Sequence, residues 1–327
     1  MDLIKEVHQY LSKEIDEVNE LILKTLSAEE ELVLLVGNHI AGSGGKRIRP
    51  VLTLLSANMF DYRGTTRIQL AASVELIHMA TLLHDDVVDG SKMRRFLPAA
   101  NVIWGSRASI LVGDFLFSQS FKLMVAAGSI DALTSLSSAA AIIAEGEVAQ
   151  LARLESRELI STEEYLKIAG AKTAALFGAA CEVGAIMANQ SADYQKALKD
   201  FGLKLGMIFQ ITDDLLDYIS DTEITGKITG DDFAEGKVTL PLIILAQKLS
   251  PQQKIWLLEM LSANDRNTQE FNQVANLIRE YKIAEEILNY LQILKSEAER
   301  ALAIIDINNR CKEYLRLLID FAINRSY

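Results

Sequence analysis

The chain has 327 residues and a formal net charge of −11, with 33 Lys and Arg against 44 Asp and Glu. This excess of acid argues against general nucleic-acid binding, which needs a basic surface. Two cysteines are too few for a disulfide framework, and the first residues lack the segments of a signal peptide, so we expect a cytoplasmic protein. Half of the residues are hydrophobic and only four are Pro, which predicts one all-α domain over residues 1–327.

The N-terminal part of the sequence, residues 1–60, predicts amphipathic helices interrupted by a Gly-rich segment at residues 41–45. Residues 50–60 begin with Pro, which suits the first turn of a helix. A turn follows at residues 61–64. A long apolar helix is then predicted over residues 67–89.

The middle of the sequence alternates connectors and long helices. Residues 90–104 form a basic connector, and helices are predicted over residues 107–127 and 131–155. Ser161 begins a capping-box pattern, because a Glu follows three residues later. This pattern predicts a helix that continues to about Ala188.

The C-terminal part begins with a second long helix, which starts at Ser191. Residues 222–239 are predicted to form a loop that carries Gly and Lys, and Pro241 opens another helix. After Ser250 the sequence predicts shorter amphipathic helices that end at Arg325. No stretch reaches 18 uncharged apolar residues, so we expect no membrane span and at most transient membrane contact.

The pattern Asp-Asp-x-x-Asp occurs twice, each time at the end of a predicted apolar helix. The six carboxylates are Asp85, Asp86 and Asp89, and Asp213, Asp214 and Asp217. On a helix, the first and last Asp of each copy lie one turn apart on one face, where like charges repel. Mg²⁺ prefers oxygen ligands and is typically held by one or two carboxylates together with substrate phosphates. The doubled pattern therefore predicts a metal-bridged phosphate held between two helices.

Cationic side chains flank both acidic motifs. Gly44 and Gly45 precede Lys46 and Arg49 in a flexible basic turn, a pattern that suits anion binding but also describes an ordinary solvated loop. The other candidates are Arg94, Arg95, Lys172, Lys227 and Lys237. His78 lies two turns before the first motif on the same helix face, and its contact with an anion and a place in the core are equally expected. His84 is a weaker candidate than His78 for contact with an anion.

The motifs in combination resemble those of the trans-polyprenyl diphosphate synthases, most closely the bacterial long-chain enzymes of the octaprenyl type. They are Gly45-Lys46-Arg47-Ile48-Arg49-Pro50, His84-Asp85-Asp86-Val87-Val88-Asp89, Gly113-Asp114, Lys172-Thr173, Phe209-Gln210-Ile211-Thr212-Asp213-Asp214, and Gly226-Lys227 through Lys237-Val238-Thr239-Leu240-Pro241. The resemblance implies an isoprenoid synthase-type helical bundle around a central elongated cavity. It also implies a homodimer and about three Mg²⁺ ions.

The same resemblance implies a role for each matched residue. Mg²⁺ bridging the allylic diphosphate would be held by Asp85, Asp86 and Asp89, and from the opposite helix by Asp213 with Asp214 and Asp217. Isopentenyl diphosphate would be bound by Lys46, Arg49, His78 and Arg95. The allylic diphosphate would be bound by Arg94, Lys172, Lys227 and Lys237. The carbocation would be steadied, or proton loss assisted, by Thr173 and Gln210, with Lys172 beside them. Arg325 would cap the isopentenyl diphosphate site.

The product is expected to grow along the helix that precedes Asp85. Ala80 and Thr81, where related short-chain enzymes carry bulky aromatic residues, are small here, so the resemblance implies a long product of octaprenyl length. Deeper positions are Ser73, Leu76 and Ile77, with Phe121 and Met124 on the next helix. Farnesyl diphosphate is the expected primer, and a quinone side chain the expected destination.

One position departs from the family pattern. A Gly usually follows the two arginines, and this chain has Phe96, so the loop is expected to take another path or to accept strain. Three alternatives stay open: a terpene cyclase of the same fold, a regulatory subunit of a heteromeric synthase, and a helical scaffold without an active site. The intact second acidic motif together with Lys46 and Arg49 argues against each of them.

Overall fold

The computed structural model describes residues 3–27, 29–95, 97–156, 159–220, 230–263 and 266–325. Almost all of this part is helical, which confirms the all-α prediction. The N-terminal helices are α1 Leu3–Tyr10, α2 Ser12–Leu26, α3 Glu31–Gly42, α4 Ile48–Asn58, α5 Thr66–Val88, α6 Ala100–Trp104, α7 Ser106–Ala126 and α8 Ile130–Ser156. The C-terminal helices are α9 Thr162–Ala169, α10 Ala175–Met187, α11 Ala192–Ile219, α12 Asp231–Glu235, α13 Leu240–Lys248, α14 Pro251–Ser262, α15 Thr268–Glu280, α16 Ile283–Ala303 and α17 Arg310–Asn324.

The centre of the bundle is formed by α4, α5 and α10, which are buried on nearly all faces. A helix that is apolar all round has no solvent face and must be covered by neighbours. Here α5 packs on α4 and α7, while α10 packs on α4, α8 and α11. The second long helix, α11, is covered by α16 on its other side. The two helices that end in acidic motifs are thereby joined through α10, which contacts both of them.

The helix predicted from Ser161 to Ala188 is interrupted. Its start is confirmed, because the Ser161 hydroxyl accepts a hydrogen bond from the backbone N–H of Glu164 and the Glu164 side chain accepts from the Ser161 N–H. Between α9 and α10, however, Gly170–Ala174 winds as a π-helix. Such segments add a residue to one turn and are frequent at functional sites. This one carries Lys172 and Thr173.

The basic connector contains a hairpin of two strands, each two residues long. Strand β1 Met93–Arg94 pairs antiparallel with β2 Leu97–Pro98. Arg95 turns the chain with φ of 50°, a left-handed conformation that a non-glycine residue rarely adopts. The expected strain thus lies at Arg95, and Phe96 itself lies outside the described residues.

The predicted loop over residues 222–239 is described only in its second half. Residues 221–229 lie outside the described part, and Lys227 with them. Beyond them, α12 is a single short helix that was not predicted. Its first turn follows Gly230, whose φ of 93° requires the conformational freedom of glycine.

Among the described helices, α7 is the one that is long and apolar enough to cross a membrane. It contains Asp114 and Lys122, and core helices of globular proteins satisfy the same criterion. Several of its apolar side chains are exposed, including Leu111, Phe121 and Val125.

Candidate active site

A cavity of about 1050 Å³ lies between α5 and α11. Its volume is at the upper end of the range for small-molecule sites. Fifteen of the predicted site residues line it: Lys46, Arg49, His78, Thr81, Asp85, Asp89, Arg94, Arg95, Lys172, Thr173, Gln210, Asp213, Asp214, Lys237 and Arg325. Segments distant in sequence therefore converge on one space.

The first acidic motif presents Asp85 and Asp89 to the cavity, one helical turn apart on α5. Burial, together with the nearby charges of Glu147 and Asp89, raises the pKa of Asp85 to about 7, against the opposing effect of Lys172 and Arg94. The Asp89 carboxylate accepts a hydrogen bond from Lys237 at 2.8 Å. A buried carboxyl group whose pKa is raised lacks the water that would stabilise its charge, and a bound cation would supply that stabilisation.

Asp86 points away from the cavity. It has no exposed surface, and both of its carboxylate oxygens accept hydrogen bonds from Arg94 Nε, at 2.8 and 2.9 Å. The Arg94 Nη2 atom adds an ion pair of 2.7 Å. The Asp86 oxygens thus hold the guanidinium of a cavity-lining arginine, and the assignment of Asp86 as a metal ligand stays a prediction.

In the second acidic motif, as in the first, not every carboxylate faces the cavity. Asp213 faces the cavity and forms an ion pair of 2.9 Å with Arg325. Asp217 does not line the cavity, and its carboxylate accepts the backbone N–H groups of Gly230, Asp231 and Asp232 at 3.0 to 3.2 Å. Asp217 therefore caps the segment that begins α12, and its assignment as a metal ligand stays a prediction.

Asp214 lies at the cavity wall but is almost fully buried. Its Oδ2 atom accepts a hydrogen bond from the Tyr165 hydroxyl at 2.6 Å, and its Oδ1 atom accepts one from Gln210 Nε2 at 2.6 Å. The Thr173 hydroxyl donates in turn to Gln210 Oε1, also at 2.6 Å. Thr173 and Gln210, predicted to act together, thus share one hydrogen-bond chain.

The acidic walls fit a divalent metal that is completed by substrate. Within the described ranges, no three acidic, His or Cys side chains are gathered closely enough to hold a metal by themselves. Asp85 and Asp89 on one wall and Asp213 on the other offer oxygen ligands across the cavity. Phosphate oxygens and water must supply the remaining ligands, which is the usual coordination of Mg²⁺.

The other end of the cavity carries cations supported by phenylalanine rings. Lys46 Nζ lies 5.1 Å from the ring centre of Phe321, Arg49 Cζ lies 4.7 Å from that of Phe177, and Arg325 Cζ lies 4.3 Å from that of Phe209. The rings contact one another, with centroids 5.2 Å apart for Phe177 and Phe209 and 6.4 Å for Phe209 and Phe321. Rings support a cation without neutralising it.

His78 lies in the middle of these positive charges. Burial lowers its pKa well below the usual value, and Arg49, Arg95, Arg94 and Arg47 lower it further. The imidazole is therefore neutral at pH 7 and contacts an anion only as a neutral hydrogen-bond partner. His84 does not line the cavity, since its Nε2 atom lies 3.2 Å from the Ile110 carbonyl oxygen on α7.

Comparison with known proteins matches these motifs to one family. The family described as Polyprenyl synthetase matches residues 30–278. The octaprenyl diphosphate synthase of Escherichia coli (strain K12) is 42% identical over 250 residues, which cover 76% of this chain and 77% of that protein. The octaprenyl diphosphate synthase of Haemophilus influenzae is 37% identical over 327 residues, covering 99% and 98%. The chain belongs to the polyprenyl synthetase family.

A solved structure extends the match to the fold. The polyprenyl synthase of Caulobacter crescentus CB15, complexed with calcium and isoprenyl diphosphate, superposes with a TM-score of 0.93 at 40% identity, covering 98% of each chain. This confirms the isoprenoid synthase-type bundle. The protein is a prenyltransferase of the polyprenyl diphosphate synthase class, whose substrates are allylic and isopentenyl diphosphates.

Several residues of the synthase site were not found from the sequence. Glu147 on α8 forms an ion pair of 2.7 Å with Lys172, and Glu75 holds Arg47 at 2.5 Å. Tyr165 could have been found from its position, since it precedes Lys172 by two helical turns. The other missed residues are Asp232, Glu235 and the phenylalanines at 177 and 321. The partners of the two phenylalanines, Arg49 and Lys46, are distant in sequence, so spacing does not reveal these rings.

The glycine of the Gly113-Asp114 motif of the synthase has a packing role. A Cβ atom at Gly113 would lie 2.3 Å from His84 Nε2, so only glycine lets the imidazole lie against α7. Asp114 Oδ1 lies 3.5 Å from the same nitrogen. The motif therefore fixes the spacing of α5 and α7 near the first acidic motif.

The predicted chain-length residues separate into two groups. Thr81 lines the cavity, whereas Ala80 does not. Further along the predicted channel, Leu76, Ile77 and Met124 are also fully buried away from the cavity. Ala80 and Thr81 were both predicted to face the channel, but adjacent residues on a helix point about 100° apart.

Proposed function

We propose that this protein condenses an allylic prenyl diphosphate with successive isopentenyl diphosphates to a long all-trans polyprenyl diphosphate, with Mg²⁺ as its metal. One observation carries the proposal: two acid-bearing helices and a group of cations that lie over phenylalanine rings face the same cavity. A cavity with both features accommodates one diphosphate bridged by metal and a second bound by cations alone. Condensing two diphosphate substrates requires this division.

The metal-bridged diphosphate is assigned to the acidic end. Asp85, Asp89 and Asp213 would hold Mg²⁺, which, when bound, stabilises the growing negative charge of the leaving diphosphate. Lys172 and Lys237 lie beside these carboxylates and would bind the diphosphate oxygens directly. Arg94, fixed by its bidentate contact with Asp86, would present its remaining N–H groups to the same anion.

The same cations neutralise the acidic groups when no metal is bound. Lys237 contacts Asp89 and Glu235, Lys172 contacts Glu147, and Arg325 contacts Asp213. Metal binding to Asp89 and Asp213 would displace Lys237 and Arg325 and release these two cations to diphosphate oxygens.

Isopentenyl diphosphate is assigned to the cationic pocket. Lys46, Arg49, Arg95 and Arg325 supply the charge, and the neutral His78 supplies a hydrogen bond. Burial lowers the pKa of Arg49 to about 10, so it stays protonated at neutral pH and is only partly hydrated. A diphosphate would replace the missing water as its partner.

The chemistry then follows from the placement of the two substrates. Breaking the allylic C–O bond leaves its electron pair on the departing diphosphate and a cation on the allyl group. The double bond of isopentenyl diphosphate forms the new C–C bond, and a proton leaves the adjacent carbon for a diphosphate oxygen. Burial of the reacting groups excludes water, which would trap the cation.

We infer a product near octaprenyl length, made from farnesyl diphosphate for a quinone side chain. Two relatives are octaprenyl diphosphate synthases. Thr81 is small at the point where α5 borders the cavity, so no bulky ring closes it there. Elongation past the packed residues below would require Leu76 and Met124 to move apart.

We infer also that the protein is a cytoplasmic homodimer that contacts membranes only transiently. Neighbouring α7 and α8 expose an apolar stripe, formed by Leu111, Val125, Ile130, Ile142 and Val148. Several large apolar side chains exposed on two neighbouring helices are typical of a protein interface. A second copy of the chain would cover it with its own α7 and α8 in an isologous contact.

The test is to incubate the purified protein with farnesyl diphosphate, labelled isopentenyl diphosphate and Mg²⁺, and to measure the chain length of the dephosphorylated products. We expect a dominant octaprenyl product. A product of farnesyl or geranylgeranyl length would retain the reaction and overturn the length assignment. A cyclised hydrocarbon, or no product beside an active control synthase, would overturn the proposal.

A further inference from the structure

Four side chains in the cavity wall form one chain of hydrogen bonds. It runs from Thr173 to Gln210, from Gln210 to Asp214, and is closed by Tyr165 on the other oxygen of Asp214. All three contacts are 2.6 Å long. Such short contacts hold each group in one orientation.

The bonds of this chain run toward Asp214 from both sides. Gln210 Nε2 donates to Asp214 Oδ1, so the carbonyl oxygen of Gln210 is the atom that faces Thr173. A carbonyl oxygen only accepts, so the Thr173 hydroxyl donates to it. The proton of that hydroxyl is therefore held by Gln210, and the lone pairs of Thr173 Oγ1, on a residue that lines the cavity, stay available to a cation.

The backbone supports this arrangement. Thr173 belongs to the π-helical segment Gly170–Ala174, and Gln210 lies on α11. A Cβ atom at Gly206, one turn before Gln210, would lie 2.6 Å from Ala174 Cα. The two segments therefore touch backbone to backbone, which brings the threonine hydroxyl within reach of the glutamine amide.

The geometry points to Tyr165 and Asp214 as positioning residues that orient Gln210 and Thr173, so that the threonine oxygen presents lone pairs to the allylic cation. This inference rests on the proposed function. Asp214 is 3% exposed, and each of its oxygens already accepts a short hydrogen bond, so it serves as the anchor of the chain and not as a metal ligand. No proton passes along the chain during the reaction. Its effect is to keep the O–H dipole aligned while positive charge forms beside it.

Two single variants test the anchor. Tyr165→Phe removes one donor and is expected to lower kcat about tenfold, with KM for both diphosphates changed less than about twofold. Tyr218→Phe is the matched control, because Tyr218 is equally buried on α11 one turn beyond Asp214 and is no member of the chain. Equal kcat values for the two variants would overturn the inference.

Metal binding distinguishes an anchor from a ligand without any turnover. Mn²⁺ titration in the presence of inorganic pyrophosphate, followed by electron paramagnetic resonance, is expected to give wild-type affinity for Asp214→Asn and at least tenfold weaker binding for Asp213→Asn. Weakened Mn²⁺ binding by Asp214→Asn, similar to that of Asp213→Asn, would overturn the inference. The Mn²⁺ affinities do not depend on the proposed function. The proposed function fails separately, if the wild-type protein makes no prenyl product.

A double-mutant cycle separates orientation from general support of the fold. Thr173→Val removes the oxygen, so adding Tyr165→Phe to it is expected to cause no further loss in kcat. Thr173→Ser keeps the oxygen and is expected to keep both the activity and the sensitivity to Tyr165→Phe. Additive losses in the Thr173→Val background would show that Tyr165 acts on something other than Thr173, which would contradict the inference.

Discussion

Lys237 and Asp89 are 148 residues apart in the sequence, and the Lys237 Nζ atom lies 2.8 Å from Asp89 Oδ2. The same nitrogen contacts Glu235 at 2.6 Å. Burial acts to lower the pKa of Lys237, but the charges of Glu235 and Asp89 outweigh it and the pKa is raised. This contact joins the segment after α12 to the end of α5 and closes the acidic end of the cavity.

Removal of this cation is expected to destabilise the metal-free protein. Lys237→Met leaves Asp89 and Glu235 facing each other without a counter-charge, and we expect a loss of about 1–2 kcal/mol in the free energy of unfolding. Urea denaturation in the presence of EDTA measures the loss. Lys237→Arg keeps the charge and is the control, and equal stability of the Met variant and the wild type would contradict the prediction.

Arg325 is expected to compete with metal for Asp213. Because the guanidinium lies 2.9 Å from the Asp213 carboxylate, metal binding has to displace it. Arg325→Met is therefore expected to bind Mn²⁺ about two- to fivefold more tightly in the absence of substrate, while KM for isopentenyl diphosphate increases. Calorimetric titration of Mn²⁺ checks the first effect and steady-state kinetics the second. Weaker Mn²⁺ binding would show that Arg325 does not compete.

Adjacent substitutions on α5 are expected to have different effects. Thr81→Phe places a ring in the cavity and is expected to shorten the product by several isoprene units, with stability nearly unchanged. Ala80→Phe forces a ring into packed core and is expected to cost about 1–3 kcal/mol of stability. Product chromatography and thermal unfolding of both variants check this. Equal shortening by a stable Ala80→Phe variant would show that the channel passes Ala80.

The apolar stripe on α7 and α8 is expected to be an interface. Leu111 is 66% exposed, and Leu111→Glu places a charge on this surface. We expect the variant to sediment as a monomer at micromolar concentration where the wild type sediments as a dimer. Ile255→Glu is the control, because Ile255 is also exposed but lies on α14. Unchanged sedimentation of Leu111→Glu would place the interface elsewhere.

His78 is expected to make the stability of the free protein depend on pH. Its folded-state pKa is lowered by burial and by Arg49, Arg95, Arg94 and Arg47, so below about pH 6.5 the unfolded chain binds a proton that the folded protein does not. Stability is thus lost as the pH falls. His78→Gln removes this dependence. Between pH 7 and pH 5, we expect the free energy of unfolding of the variant to fall by about 1–2 kcal/mol less than that of the wild type. Urea denaturation without substrate at both pH values checks this, and equal losses would contradict it.

The sequence was sufficient for most of the helices and for fifteen of the residues that face the cavity. Apolar runs predict α5 and α11 closely, because a helix buried on all sides leaves a continuous hydrophobic signal. The doubled acidic motif predicts which helices face each other. It does not separate Asp85 from Asp86, because adjacent carboxylates differ only in which face of α5 carries them.

Features that depend on tertiary contact were not predictable. The π-helical segment leaves no signal in a run of helix-forming residues, yet it positions Thr173. Glu147 is an ordinary residue of an exposed-looking helix until Lys172 is placed beside it, and the hydrogen bond of Tyr165 to Asp214 is likewise not readable from the sequence. In each case the partner comes from another helix, and only the packing of α8, α9 and α11 determines the pairing.

The three phenylalanine rings beneath the cationic pocket come from α10, α11 and α17, while the cations they support come from the two ends of the chain. Lys46 and Arg49 lie just before and at the start of α4, and Phe321 and Arg325 lie on and just after α17, which packs on both α4 and α11. The pocket is therefore assembled by the packing of α17. A substitution that loosens α17 would remove one ring and one cation from the pocket together.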